Sequence, residues 1–474
     1  MIISLRRIAS AFALGLLLSA CAAGPQTSAV PQPASPPSDG AIKALSAQIF
    51  VYAYPLVLMD VTREVMSARV PANTFSHKRS FPDAAFTDVV SPNADTLYST
   101  AWLDLSGGPV ILSLPDTHGR YYLMPLMDAW TNVFASPGKR TTGTKKAIYA
   151  VTGPMWNGIL PPGVTEIRSP TEMVWLIGRT QTNGKQDYAA VRRLQDQYRL
   201  APLSALQRGG KARPKPAEVM LPEAVPVDVE TPPVEQVAAM DAQAFFTRFA
   251  ELLPANPPAA ADAAMVESIK KFGIVPGKPF SVTALEPSTA RAVQEGATTA
   301  LAGIVAMAKR GGGEGDGKWT VHRDLGNYGT AYGKRALVAW VGLGANLPAD
   351  ALYPSTRVDA AGKPLNGANR YVLHFNKGQM PPSMAFWSLT LYNNKQAFVA
   401  NPLNRYAIGD RDRLRYNRDG SLDIYIQNAR PAGKRVANWL PAPPDGFNLM
   451  MRVYWPRQAM LDGTWSAPPV LRVE

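Results

Sequence analysis

The chemistry-bearing residues of this chain gather in one stretch, VVSPNADTLYSTAWLDL, residues 89–105. Ser91, Pro92 and Asn93 fix a turn, because Pro presets φ and Asn tolerates unusual backbone angles. Asp95, Thr96 and Tyr98 follow on the turn and first strand. Alternation puts Thr96, Tyr98 and Thr100 on one strand face and Leu97, Ser99 and Ala101 on the other. A second set with the same period, Asp128, Trp130 and Asn132, closes a later strand. Amides and carboxylates supply directional hydrogen bonds, and Tyr and Trp supply flat apolar surface, a mixture suited to small polar or cyclic ligands. Asn93, Thr96, Tyr98, Trp130 and Asn132 are the expected ligand contacts. Asp95 and Asp128 are the candidate catalytic pair, able to act as acid and base if their carboxyls lie about 5–10 Å apart. The competing reading is that Asn and Asp at strand ends satisfy turn backbone groups. Near the C-terminus, Trp387 and Arg405 complete the candidate set, with an Arg bonding loop carbonyls as the plainer role for Arg405.

Other chemistries lack their residues. Cys21 is the single Cys, so a chain that uses it as an anchor has no thiol left for a disulfide, a nucleophile or a metal. His77, His118, His322 and His374 share no i,i+4 spacing, and no metal or cofactor is expected. Residues 312–318 read GGEGDGK, but the eighth P-loop position is Trp319 rather than Ser or Thr. No G-x-S-x-G elbow occurs.

The elements that must position these residues begin with a leader. MIISLRRIASAFALGLLLSAC has a basic flank at Arg6 and Arg7 and an apolar run too short to span a bilayer. Leu18, Ser19, Ala20 and Cys21 resemble a bacterial lipobox, with Cys21 lipidated. Ala22 in place of Asp then favours the outer membrane, facing the periplasm. Residues 22–40 form a Pro- and Ser-rich tether reaching roughly 60 Å at ~3.1 Å per residue. The formal charge of +13 is scattered, which points to a solvated basic surface suited to the envelope rather than to nucleic acid. The expected partners are a small ligand and, through the anchor, the membrane, with self-association open.

Ile42, Leu45, Ile49, Tyr52, Leu56 and Met59 recur at helical spacing, with Pro55 expected to kink or restart that helix. Short Val-, Ile-, Leu- and Tyr-rich runs then alternate with turns over residues 96–184 and again over 370–455. A Pro-rich crossing at 208–233 and Ala-rich helical patterns separate the two β regions. The high Pro and Gly content, 43 and 37 residues, fits many turns. The expected fold class is α+β, with two jelly-roll-like antiparallel β-sandwiches, a helical middle and an N-terminal helix. The expected boundaries are 1–20 signal, 21–40 anchor and tether, 41–200 helix plus first sandwich, 201–345 crossing and helical middle, and 346–474 second sandwich. An internal echo supports the pairing. GRYYLMPLMDAWTNVFA (119–135) and MAFWSLTLYNNKQAFVA (384–400) share an aromatic strand, a polar junction with Asn, then a bulky apolar residue and Ala.

NTFSHKRSFPDAAFTDVVSPNADTLYSTAWLDL, GRYYLMPLMDAWTNVF and SPTEMVWLIGRTQTNG resemble the bacterial exported family with an N-terminal domain of unknown function 1254. PPSMAFWSLTLYNNKQAFVANPLNRYAIGDR and NWLPAPPDGFNLMMRVYWP resemble its usual C-terminal partner, domain 1214. The resemblance implies two jelly-roll-like sandwiches with packed helices and implies no reaction. Three functions stay open: an envelope protein binding a small polar or cyclic ligand, a metal-independent hydrolase or lyase using Asp95 and Asp128, and a structural or assembly protein.

Overall fold

The computed structural model describes residues 38–86, 90–207, 227–310 and 319–474. The leader, Cys21, the tether up to residue 37, most of the Pro-rich crossing and the Gly-rich 312–318 segment lie outside the described residues, and Asp39 and Gly40, expected in the tether, begin the first helix.

The chain enters the described body through α1 (Asp39–Ser67). Its centre, from Ile49 to Val61, is almost wholly buried, which explains an apolar pattern broader than one stripe. Pro55 lies inside this helix and neither ends nor restarts it. Although α1 is long and apolar enough to cross a membrane, most of it is enclosed by other elements.

The first sandwich follows as β1 (Ser76–His77), β2 (Thr96–Asp104), β3 (Val110–Leu114), β4 (Tyr122–Leu123), β5 (Leu126–Asp128), β6 (Val133–Ala135), β7 (Ala147–Thr152), β8 (Thr165–Arg168) and β9 (Met173–Gln181). After α2 (Tyr188–Gln195), β10 (Arg199–Pro202) closes it. One sheet runs β1-β2-β9-β5-β6 with β4 beside β9, and the other runs β10-β3-β7-β8. Leu103, Leu112, Leu126, Val174 and Leu176 meet between them.

Next, α3 (Leu203–Gln207) packs on β3 and β10 of the first sandwich, and the helical body comprises α4 (Pro233–Ala238), α5 (Ala242–Leu252), α6 (Ala263–Lys271), α7 (Pro287–Arg310) and α8 (Tyr332–Gly342). The Phe245, Phe246 and Phe249 stripe of α5 packs on α1, with Phe50 stacked on Phe245 at 4.0 Å. This core extends to the outer face of the first sheet through Trp102, Met127 and Trp175. Thus α1, expected with the first sandwich, joins the helical middle in one apolar core. An α7 Cβ at Gly296 would lie 2.4 Å from the Lys43 carbonyl, so α7 approaches α1 as only glycine permits there.

The second sandwich has β11 (Ala351–Leu352), β12 (Ser355–Thr356), β13 (Arg370–Phe375), β14 (Ser383–Asn393), β15 (Ala407–Gly409), β16 (Leu422–Gln427), β17 (Trp439–Pro441) and β18 (Phe447–Pro456). Then come α9 (Gln458–Leu461) and β19 (Val470–Val473). Its sheets run β11-β18-β14-β15, with β12 on β18, and β17-β16-β13-β19.

The two sandwiches repeat one plan. Each smaller sheet ends in a parallel pair, β7–β8 in the first and β16–β17 in the second; the other pairings are antiparallel. Leu126 faces Leu176 in the first, and Leu391 faces Leu449 in the second. Gly138 bridges to Leu123, and Gly409 pairs with Ser388. At both glycines an added Cβ would strike backbone, 2.4 Å from the Tyr122 carbonyl and 2.1 Å from that of Trp387. The sequence echo is therefore a structural repeat. Tyr121 and Phe386, at equivalent positions, meet edge to face at 5.8 Å where the sandwiches join.

Candidate ligand chamber

Strand alternation divides β9 between two environments. Val174 and Leu176 enter the sandwich core, so Trp175, Ile177 and Arg179 point outward. In β18, Leu449, Met451 and Val453 enter the second core, and Met450, Arg452 and Tyr454 point outward. The register makes Arg179 and Arg452 equivalent. Each lies against a tyrosine: Arg179 4.9 Å from the Tyr98 ring, and Arg452 6.0 Å from the Tyr353 ring. Both arginines are buried, at 6% and 4% exposure.

These two Tyr–Arg pairs border a cavity of about 560 Å³, together with Ser91, Asn93 and Asn346. Leu337, Val338 and Val341 of α8 and Met307 of α7 form an apolar wall. Among the described residues its cations are Arg179, Arg452 and Lys334, and no carboxylate lines it. Lys334 is ion-paired to Asp324, which lies outside the lining. Arg179 donates to the Asn346 side chain at 2.6 Å and to the Ile177 carbonyl at 3.1 Å, while its Nε is buried without a partner. Arg452 donates to Thr390 at 2.8 Å and to the Ser91 carbonyl at 2.8 Å. Burial works to raise the Tyr98 phenol, but the Arg179 and Arg452 charges outweigh it, and its pKa falls below the ordinary value. Burial instead raises Tyr353.

The opening stretch forms one wall of this chamber. Asn93 accepts from the backbone N–H of Asp95 at 2.6 Å and of Thr96 at 3.1 Å, and donates to the Tyr454 hydroxyl at 2.7 Å. Asn93 thus pins the turn to the second sandwich. Asp95, fully buried, accepts from Ser388 at 2.7 Å and forms an ion pair with Arg411. Thr96 is buried, with its hydroxyl unpartnered.

The second sequence set lies elsewhere. Asp128 Oδ1 accepts from the Trp130 N–H at 2.9 Å and the Asn132 N–H at 2.8 Å, closing a turn in which Thr131 has φ +70°. Asn393 does the same in the second repeat. Its Oδ1 accepts from Lys395 and Ala397 N–H groups, and Gln396 has φ +60°. Asp128 is therefore the turn residue of a repeated motif. Burial raises it to about 6. Asp128 faces Val174 and Thr96 faces Gln181, seven residues apart along β9 or ~23 Å at ~3.3 Å per residue. Asp95, next to Thr96, and Asp128 are too far apart to act on one bond. Trp130 is buried against α1 and α5, its indole donating to the Asn256 and Pro257 carbonyls. The Asn132 amide serves Asp128 and Tyr328. Trp387 is buried in the second core. Arg405 donates to the carbonyls of Val436, Ala437 and Trp439, and lines a different cavity. Sequence reasoning did not find Arg179 and Arg452. Their signal is a lone Arg on the outward period of MVWLIGRTQ and FNLMMRVYWP.

Residues 72–202 match the family described as protein of unknown function (DUF1254), and 350–458 match protein of unknown function (DUF1214). The chain pairs a DUF1254 domain with a DUF1214 domain. The DUF1254 domain supplies Tyr98 and Arg179 to the chamber, the DUF1214 domain supplies Tyr353 and Arg452, and the α8 wall lies outside both. A crystal structure of the VPA0106 protein from Vibrio parahaemolyticus is similar over 91% of this chain and 100% of that one, at 24% identity and a TM-score of 0.70, which shows a shared fold. An uncharacterized protein from Burkholderia cenocepacia aligns over 91% of this chain and 94% of its own, at 13% identity and a TM-score of 0.42. No curated protein matches the chain.

Proposed function

We propose that the chain binds a small organic anion with an apolar body in the chamber between the sandwiches and α8. The observation that carries this reading is the pair of buried arginines, Arg179 and Arg452, in a cavity that no carboxylate lines among the described residues. Buried cations attract an anion strongly because little water screens them. Arg also matches a carboxylate better than Lys does, through its planar fork of donors. Leu337, Val338, Val341 and Met307 accommodate an apolar remainder. A volume of about 560 Å³ lies within the usual range for small-molecule sites. This sharpens the expected small polar or cyclic ligand to an amphipathic acid.

The lipobox-like residues at Cys21 support a proposed lipid-anchored location in the cell envelope, at the outer membrane and facing the periplasm. Labelling of the chain by palmitate, lost in Cys21→Ala, tests that placement.

Calorimetric titration with benzoate and octanoate against benzamide and octanamide tests the chamber. The acids are expected to bind and the shape-matched amides to fail. Val338→Trp, which fills the apolar wall without touching either arginine, should abolish binding. Equal binding of acid and amide, or unchanged binding by folded Val338→Trp, overturns the reading.

A further inference from the structure

The segment that walls the anion chamber has a second side. Asn93 and Tyr98 border the chamber, while Ala94 and Asp95 border a separate cleft of about 810 Å³ at the junction of the sandwiches. The cleft draws on both repeats and has a different chemistry. Among the described residues its acids are Asp83, Asp95 and Asp412 and its bases are Lys185, Arg405 and Arg411, so formal charge balances. Part of that charge is already committed. Asp95 holds Arg411, whose Nη1 also donates to the Asp95 and Thr182 carbonyls, while its Nε is buried without a hydrogen-bond partner. Arg405 turns one nitrogen, Nη1, to the carbonyls of Val436, Ala437 and Trp439.

The remaining groups are acceptors and donors spread around an open space. Asp83 uses Oδ1 for the Ala85 N–H, and Asp412 uses Oδ2 for the Gly409 N–H, so each has a second oxygen to offer. Exposed Asn404, held at φ +47°, adds an amide. Phe81, Tyr188 and Tyr406 add rings. Tyr188 is fixed by accepting from the Phe81 N–H at 2.9 Å, and Tyr406 by stacking on Phe398 at 4.5 Å. A balanced charge disfavours an ion of either sign. Single carboxylate oxygens, amides and fixed rings suit a neutral ring compound with many hydroxyls.

We infer that this cleft is a second ligand site, for a neutral saccharide, distinct from the anion chamber behind it. Saturation-transfer NMR of the full soluble chain with glucose, N-acetylglucosamine and maltose tests this. At least one sugar should receive saturation, and Asp412→Asn, which keeps an acceptor for the Gly409 N–H, should weaken it about tenfold, as expected for one lost hydrogen bond to a charged group. Tyr406→Ala should weaken it further. Two results overturn the inference: no transfer from folded wild type to any of the three sugars, or undiminished transfer in the folded Asp83→Asn/Asp412→Asn double variant.

Discussion

Asp128→Asn should stabilise the protein at alkaline pH. Asp128 is 5% exposed, and burial lifts its pKa from 3.8 to about 6. A shift of about two units corresponds to ~3 kcal/mol of disfavour for the ionised form. The sign follows from linkage: above pH 6 the carboxylate is charged in both folded and unfolded chains, and only the folded chain carries the burial cost. Below 3.8 it is protonated in both and the cost is gone. Asparagine retains the Oδ1 acceptor for the Trp130 and Asn132 N–H groups, as Asn393 does in the equivalent turn. It loses the bond from Asn132 Nδ2, 3.2 Å long, because the Asn132 Oδ1 is already taken by the Tyr328 N–H. That loss costs about 1 kcal/mol. The net expectation is a gain of ~2 kcal/mol at pH 8, shrinking to nothing or reversing by pH 4. Urea titrations at the two pH values measure it, provided the slope with denaturant is unchanged. A destabilised variant at pH 8, or a gain equal at both pH values, would refute the burial argument.

Asp95→Ala strands the Arg411 charge and should cost ~3–5 kcal/mol in urea unfolding, whereas Asp95→Ala/Arg411→Met should cost less than Asp95→Ala alone. A loss under 1 kcal/mol in Asp95→Ala would deny the pair its structural role. Since Tyr98 titrates below its ordinary value, benzoate affinity should fall as pH rises through that range, because the phenolate neutralises Arg179 and repels the ligand. In Tyr98→Phe the fall in the same calorimetric series should be smaller, and an undiminished fall would place the titrating group elsewhere. Gly409→Ala drives a Cβ into the Trp387 carbonyl and should lower stability by ~1–3 kcal/mol. Gly303→Ala, on an open face of α7, should instead raise stability by ~0.5–1 kcal/mol, and thermal melts of the two variants read both signs.

The two β regions and the outward face of Tyr98 were legible in the sequence, because period-two alternation is a local property. Asp128, Trp130 and Asn132 were misread, since a side chain that closes its own turn has the same spacing as one that faces a pocket. The alignment of Asp128 with Asn393 held the clue: an Asn in the equivalent turn is a sign of backbone bonding rather than acid chemistry. Arg179 and Arg452 escaped because each is a single residue, and only the pairing of β9 and β18 with their neighbours makes them equivalents. Short edge strands such as β8, β10 and β17 carry little pattern of their own and depend on the sheet they join.

The fastening of Asn93 to Tyr454 bears on how the molecule is made. The two residues are separated by 361 positions, and Arg179 waits 167 positions for Asn346. A chain emerging from its N-terminus has the first sandwich in hand long before its polar outer face has partners. During that interval the buried charges of the finished protein, Asp95 and Arg179 among them, remain hydrated, and contacts of such long sequence separation form late. A polypeptide truncated before β18 would be left with this face open to water and to other nascent chains, a natural place for holding factors to engage.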